Sequence, residues 1–135
     1  YAEVERVLKK YGVLACWSYK LFRINSEVDR EIDWLYTDIL GSYWDPERRL
    51  VDTGYRTLSF PFREFRAPSI ELKAVWDFEN MIGFISSWSA VANYKKREGL
   101  DPILGNMDRL KAVWGDPDDR KNVMWSFSIR AGRVR

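Results

Sequence analysis

"YAEVERVLKKYGVLACWSYKL", residues 1–21, decides the fold class. Apolar side chains at Tyr1, Val4, Val7, Leu8 and Tyr11 recur at helical spacing. Gly12 follows Lys9, Lys10 and Tyr11, and this suits a helix stop: glycine tolerates the left-handed closing residue, and cations favour the last carbonyls. "VLACWSYKL" then runs nearly uninterrupted as apolar residues rich in strand formers. A helix, a glycine and a short continuous apolar run predict an α/β unit with a buried strand.

Outward from this unit the punctuation is regular. "NSEVDREIDWLYTDILGSYW" offers Asn25 or Ser26 as N-cap and acidic residues in the first turn, with an apolar stripe at Val28, Ile32, Leu35, Ile39 and Leu40 ended by Gly41. "WDPERRLVDTGYRTLSFPF" reads as a long irregular connection, a type of segment that often carries function. "SIELKAVWD" alternates and predicts a strand; Asp77 then caps one long helix, "FENMIGFISSWSAVANYKKREG", closed by Gly99. "DPILGNMDRLKAVWG" predicts another helix, with Pro102 in its first turn and Gly115 at its stop. In "NVMWSFSIRAG" Val123, Trp125, Phe127 and Ile129 alternate, which predicts a strand of about eight residues. The first strand is continuously apolar and the later two alternate, so the sheet centre is expected near the first strand.

Composition narrows the chemistry. The chain has 135 residues, one domain's worth, with 46% hydrophobic and 31% charged residues. A net charge of +2, with the basic residues interspersed among acidic ones, argues against a nucleic-acid partner despite seven Trp available for stacking. There is no histidine and one cysteine, Cys16, which argues against a zinc site and excludes an internal disulfide and histidine-based triads. No apolar run approaches the roughly 20 residues that span a bilayer. With no signal peptide and a single thiol, a cytoplasmic location is expected. The chain opens at Tyr1 inside an amphipathic pattern, which reads as part of something longer.

Four stretches carry a resemblance: "RVLKKYGVLACWSYKL" (residues 6–21), "YWDPERRLVDTGYRTLSFPF" (43–62), "GFISSWSAVANYKKREGLDPI" (83–103) and "VWGDPDDRKNVMWSFSIRAGRV" (113–134). Together they are similar to the C-terminal portion of class I S-adenosylmethionine-dependent methyltransferases, in the type 11 branch related to trans-aconitate methyltransferases. Ser126 departs from the branch, where proline tends to follow the tryptophan. The resemblance implies part of a Rossmann-like sheet: residues 13–20 as strand five, 69–76 as strand six and 122–131 as an antiparallel strand seven. The whole chain would then be one partial domain, the substrate-side half, without the cofactor-binding half.

The cofactor, S-adenosylmethionine, belongs on this reading to a longer parent protein, and none is expected on this chain alone. The family's cofactor loop is glycine-rich because glycines let backbone approach the ligand closely. Here no G-x-G occurs. What remains would wall the pocket of a small acceptor, a carboxylate among the candidates, and the chain alone would be inactive.

Trp88 and Ser89 match the family's Trp-Ser-Ala positions, and Ser86 lies one turn earlier. A tryptophan supplies an apolar wall and the hydroxyls orient a polar acceptor, unless Ser86 and Ser89 bond back to the preceding turn and Trp88 packs in the core. Trp17 and Tyr19 lie towards the carboxyl end of the first strand, where α/β sites sit. Tyr43 and Trp44 open the long connection, Arg48 and Arg49 could clamp a carboxylate, and Tyr55 and Arg56 follow Gly54. An alternative reading is a non-catalytic module that dimerises through an exposed first strand or binds a small ligand.

Overall fold

The computed structural model describes residues 1–134 and is mixed α/β with an open antiparallel sheet. The chain divides into two compact units. One holds Tyr1–Leu21, Glu47–Leu72 and the chain from Trp125 onward; the other holds Phe22–Pro46 and Lys73–Met124.

In the first unit α1 (Ala2–Val7) ends earlier than its apolar spacing predicts. The chain turns through Lys9–Gly12 instead: Tyr11 takes a left-handed φ of 65°, and the Gly12 N–H donates to the Lys9 carbonyl at 2.7 Å. β1 (Val13–Tyr19) pairs antiparallel with β4 (Lys121–Arg133), from Val13 opposite Arg133 to Tyr19 opposite Phe127. β2 (Arg63–Phe65) also pairs antiparallel with this end of β4, giving the order β1-β4-β2. β3 (Glu71–Trp76) pairs with β4 as well, and just before it the Ile70 carbonyl accepts from the Phe127 N–H at 3.2 Å.

The sheet centre is therefore β4, not the first strand as its apolar run predicts. Burial on both faces needs a covering layer on each, and β1 lacks that among the described residues. Trp17 is 61% exposed and Tyr19 46%, and only Ser18 in the strand is buried. β4 has partners along both edges, and its alternation places Val123, Trp125 and Ala131 inside. The long connection is not irregular either. It contains α3 (Arg48–Asp52), and β2 follows directly on its last residue.

The second unit is mainly helical. α2 (Ser26–Trp34) is capped as predicted by Asn25, whose side chain accepts from the N–H groups of Glu27 and Val28 at 3.2 and 3.0 Å. It widens into a π-helical turn, Leu35–Ile39, then tightens into a 3₁₀ turn, Gly41–Tyr43. α4 (Phe78–Ser86) starts with a capping box between Asp77 and Asn80. The long helix expected after Asp77 is two helices, α4 and α5 (Ser89–Glu98).

The break explains "SSWS". Ser87 Oγ donates to the Phe84 carbonyl at 2.6 Å and so competes with the helical ladder. Trp88 is extended, with ψ 138°, and its carbonyl takes the Val91 and Ala92 N–H groups to start α5. Gly99 closes α5 in the left-handed region, as predicted. α6 (Met107–Trp114) begins after Pro102 rather than over it, because a 3₁₀ turn at Leu104–Asn106 intervenes. Val28, Ile32, Leu35, Met81, Ile85 and Trp114 form the centre of this unit's core. Among the described residues no helix is long and apolar enough to cross a membrane.

Candidate functional site

The second unit builds a wall of three aromatic rings. Trp88 stands at the start of α5 with its ring 5.6 Å from those of both Tyr36 and Trp44, and Tyr36 and Trp44 lie 4.6 Å apart. The π turn makes this arrangement. Leu40 N–H donates to the Leu35 carbonyl at 3.0 Å, so the Tyr36 carbonyl is released from the usual ladder and accepts from Trp44 Nε1 at 3.1 Å. Phe22 and Phe84 back Trp88, each at 6.4 Å. All three wall rings are half-buried, so apolar ring surface remains at the exterior.

The expected polar partners are distributed differently. Ser87 bonds back to the preceding turn, not Ser86 or Ser89, and Ser89 is exposed at the start of α5. Tyr43 is engaged by the end of α5. Its hydroxyl donates to Glu98 at 2.7 Å, which holds the phenol above its ordinary range, and Arg97 lies over its ring at 4.7 Å.

The first unit contains a cleft of about 330 Å³ lined by Tyr1, Cys16, Trp17, Tyr55, Phe60 and Arg130, together with Ala15 and Leu58. Arg130 organises it. Its Nε and Nη2 grip Glu64 at 2.8 and 3.1 Å, and Nη1 donates to the carbonyls of Tyr55 and Leu58 at 2.7 Å each. The hydrogen bond from Arg130 holds the Glu64 carboxyl below the ordinary range. Gly54 and Tyr55 both take a φ of 60°, which is unusual for a residue with a ring.

Of the residues singled out from sequence, Trp44 and Trp88 meet in the aromatic wall, and Trp17 and Tyr55 both border the cleft. Ser89 follows Trp88 directly at the start of α5, and the others are not brought to either place. Tyr19 faces Phe127, Arg48 pairs with Asp52 at 3.4 Å, and Arg56 Nε donates to the Thr53 carbonyl at 3.1 Å. Arg49 is exposed on α3. Sequence reasoning missed Tyr36, Cys16, Phe60 and Arg130. Arg130 did leave a signal: it is the charge that ends the uncharged run 122–129.

Two glycines, Gly54 and Gly132, sit against the chain's own side chains. A Cβ at Gly132 would stand 2.6 Å from the Phe60 ring, and one at Gly54 would stand 2.6 Å from Ser128 Oγ. Both close approaches are taken up by the chain's own side chains, so neither glycine leaves room for a ligand against its backbone. Among the described residues no cluster of His, Cys, Asp or Glu could hold a metal ion.

No protein-family model matches the chain. The chain is 33% identical over 133 residues to a Dictyostelium discoideum protein named "putative methyltransferase", a match that covers 96% of this chain and 51% of that protein. It also matches the solved structure of a "putative type II methyltransferase" from Anaeromyxobacter dehalogenans, with a TM-score of 0.90 and 42% identity over 98% of this chain and 56% of the other. The chain thus spans about half the length of each.

Proposed function

We infer, from a chain that is methyltransferase-like in sequence and fold over nearly its whole length, that it forms the acceptor-binding side of such an enzyme, in the C-terminal part of the domain. One observation carries the reading. Some 96% of this chain matches a methyltransferase relative of about twice its length, while no G-x-G occurs in its sequence.

The donor this reading implies is S-adenosylmethionine, bound by other parts of the parent protein, and the chain alone is inactive. Displacement at a methyl carbon gains mainly from alignment and exclusion of water. The half-buried faces of Tyr36, Trp44 and Trp88 suit that task, with the exposed Ser89 hydroxyl near the start of α5 available to a polar acceptor. A small carboxylate is the acceptor class that fits, because it is already nucleophilic at neutral pH and this chain has no histidine to act as base. A cytoplasmic location accords with the single free thiol, Cys16.

Calorimetric titration tests both halves of the reading. S-adenosylmethionine should give no saturable heat with this chain. trans-Aconitate, a small carboxylate of the class the sequence resemblance suggests, should give saturable heat that Trp88→Phe weakens. Saturable binding of S-adenosylmethionine would overturn the assignment of this chain to the acceptor side.

We also propose that a second copy of the chain pairs along β1. That strand carries a row of backbone donors and acceptors on the edge opposite β4, and Val13, Trp17 and Tyr19 are all exposed along it.

A further inference from the structure

We propose that Arg63 and Arg133, set side by side on the sheet of the first unit, form a binding site for a phosphate dianion. The inference is independent of the methyl-transfer reading, since it follows from the register of β2 on β4. That register puts Arg63 directly opposite Arg133. Opposed residues of an antiparallel pair project from the same face, with Cβ atoms about 5 Å apart, and like charges there repel and weaken the ladder. β2 is a three-residue edge strand, so the repulsion falls where the sheet is short of pairing. An anion between the two guanidinium groups removes it.

Neither arginine is neutralised within the protein. Both are exposed, and among the described residues no carboxylate pairs with either. The acidic groups of this unit are engaged elsewhere. Glu64 turns to the other face of the sheet, where Arg130 holds it at 2.8 Å, and Glu3 and Asp52 pair with Arg6 and Arg48. Glu5 borders Phe62, which packs against Gly132 on that same other face.

Arg133 is positioned without being discharged. Its Nη1 donates to the Tyr11 carbonyl at 3.2 Å, and its guanidinium lies 5.7 Å from the centre of the Phe65 ring. Phe65 stands two residues from Arg63 on β2, so this contact places Arg133 on the face that Arg63 and Phe65 share. Lys10 adds a third cation at the same end of the sheet, with Nζ 5.1 Å from the ring centre of Tyr11. Two guanidinium groups side by side present two flat N–H forks, more donors than the two oxygens of one carboxylate can take. A phosphate offers three or more acceptor oxygens and up to two negative charges. Free phosphate and the terminal phosphate of a small ester share this chemistry.

Calorimetric titration at low salt and about pH 8, where phosphate is a dianion, tests the site with inorganic phosphate and with phenyl phosphate. Saturable binding is expected, and Arg63→Gln should raise Kd about tenfold, the worth of one charge-assisted contact. Arg63→Lys keeps the charge without the fork and should fall between the two. Arg30→Gln removes one exposed positive charge from α2 in the other unit and should change nothing. Tighter binding of phenyl phosphate assigns the site to phosphate esters, and tighter binding of inorganic phosphate assigns it to the free ion. Urea midpoints separate binding from structure. In phosphate-free buffer Arg63→Gln should be at least as stable as the unaltered protein, because it relieves the repulsion; added phosphate should stabilise the unaltered protein more. No saturable heat with either phosphate, undiminished affinity in Arg63→Gln, or an equal loss of affinity in Arg30→Gln would overturn the proposal. So would a destabilised Arg63→Gln in phosphate-free buffer, since Arg63 would then already have a partner in the protein.

Discussion

At Tyr55 a residue with a large ring occupies the left-handed region, directly after Gly54 does the same. Nothing in "DTGYRT" announces this, since the glycine alone would satisfy a turn. The reason lies far along the chain, where Arg130 takes hold of the Tyr55 carbonyl. Two substitutions isolate the backbone cost. Tyr55→Gly and Tyr55→Ala both delete the ring, but only alanine keeps a Cβ that meets the carbonyl at positive φ. The glycine variant should be the more stable by about 1 kcal/mol in urea denaturation. If alanine proved the more stable, the left-handed assignment at Tyr55 would be wrong. Trp88 is the converse case. It was singled out through its match to the Trp-Ser-Ala positions of the resemblance, but its ring partner Tyr36 was not, because the π turn that turns the Tyr36 carbonyl towards Trp44 has no local sequence mark.

Between elements, β2 is held to β4 by a short ladder and by the Glu64–Arg130 pair. Only three residues of β2 pair, so the ionic contact matters to whether this edge forms. Its pH dependence has a definite sign. The Glu64 carboxyl is held by Arg130 below the ordinary glutamate value of 4.5, so the pair's contribution is fully present above that value and is lost as pH falls through the lowered one. The stability of the unaltered protein should therefore drop more between pH 7 and pH 3 than that of Glu64→Gln, as measured by urea midpoints at the two pH values. Identical drops would show that the pair does not hold in solution. The helix break at Ser87–Trp88 belongs to this scale as well. The apolar spacing of "FENMIGFISSWSAV" continues through it, so periodicity predicts one helix, whereas the Ser87 hydroxyl and the extended Trp88 make two.

For the molecule as a whole, the open edge of β1 is the feature with the largest consequence. Lys20 N–H donates to the Ser126 carbonyl, so even-numbered residues of the strand face β4 and Val13, Ala15, Trp17 and Tyr19 turn their backbone groups to the open side. A two-fold antiparallel pairing centred on Cys16 would set Val13 against Tyr19 and Ala15 against Trp17 of the second copy. The two Cys16 residues would then form a non-hydrogen-bonded pair with Cα atoms about 4.5 Å apart, within disulfide reach. Sedimentation velocity should show a dimer that dissociates on dilution, and mild oxidation should trap it through Cys16. A monomer at every concentration, with no cross-link, would dispose of the pairing. What the sequence determined by itself was local: the Asn25 and Asp77 caps, the Gly99 and Gly115 stops and the alternation in β4, each satisfied by groups a few residues away. What only tertiary structure decided was which strand is central, that Trp17 is exposed, and what Arg130 holds. Its partners Glu64, Leu58 and Tyr55 lie 66, 72 and 75 residues away, and contacts at that separation are chosen by chain packing and not by neighbours in sequence.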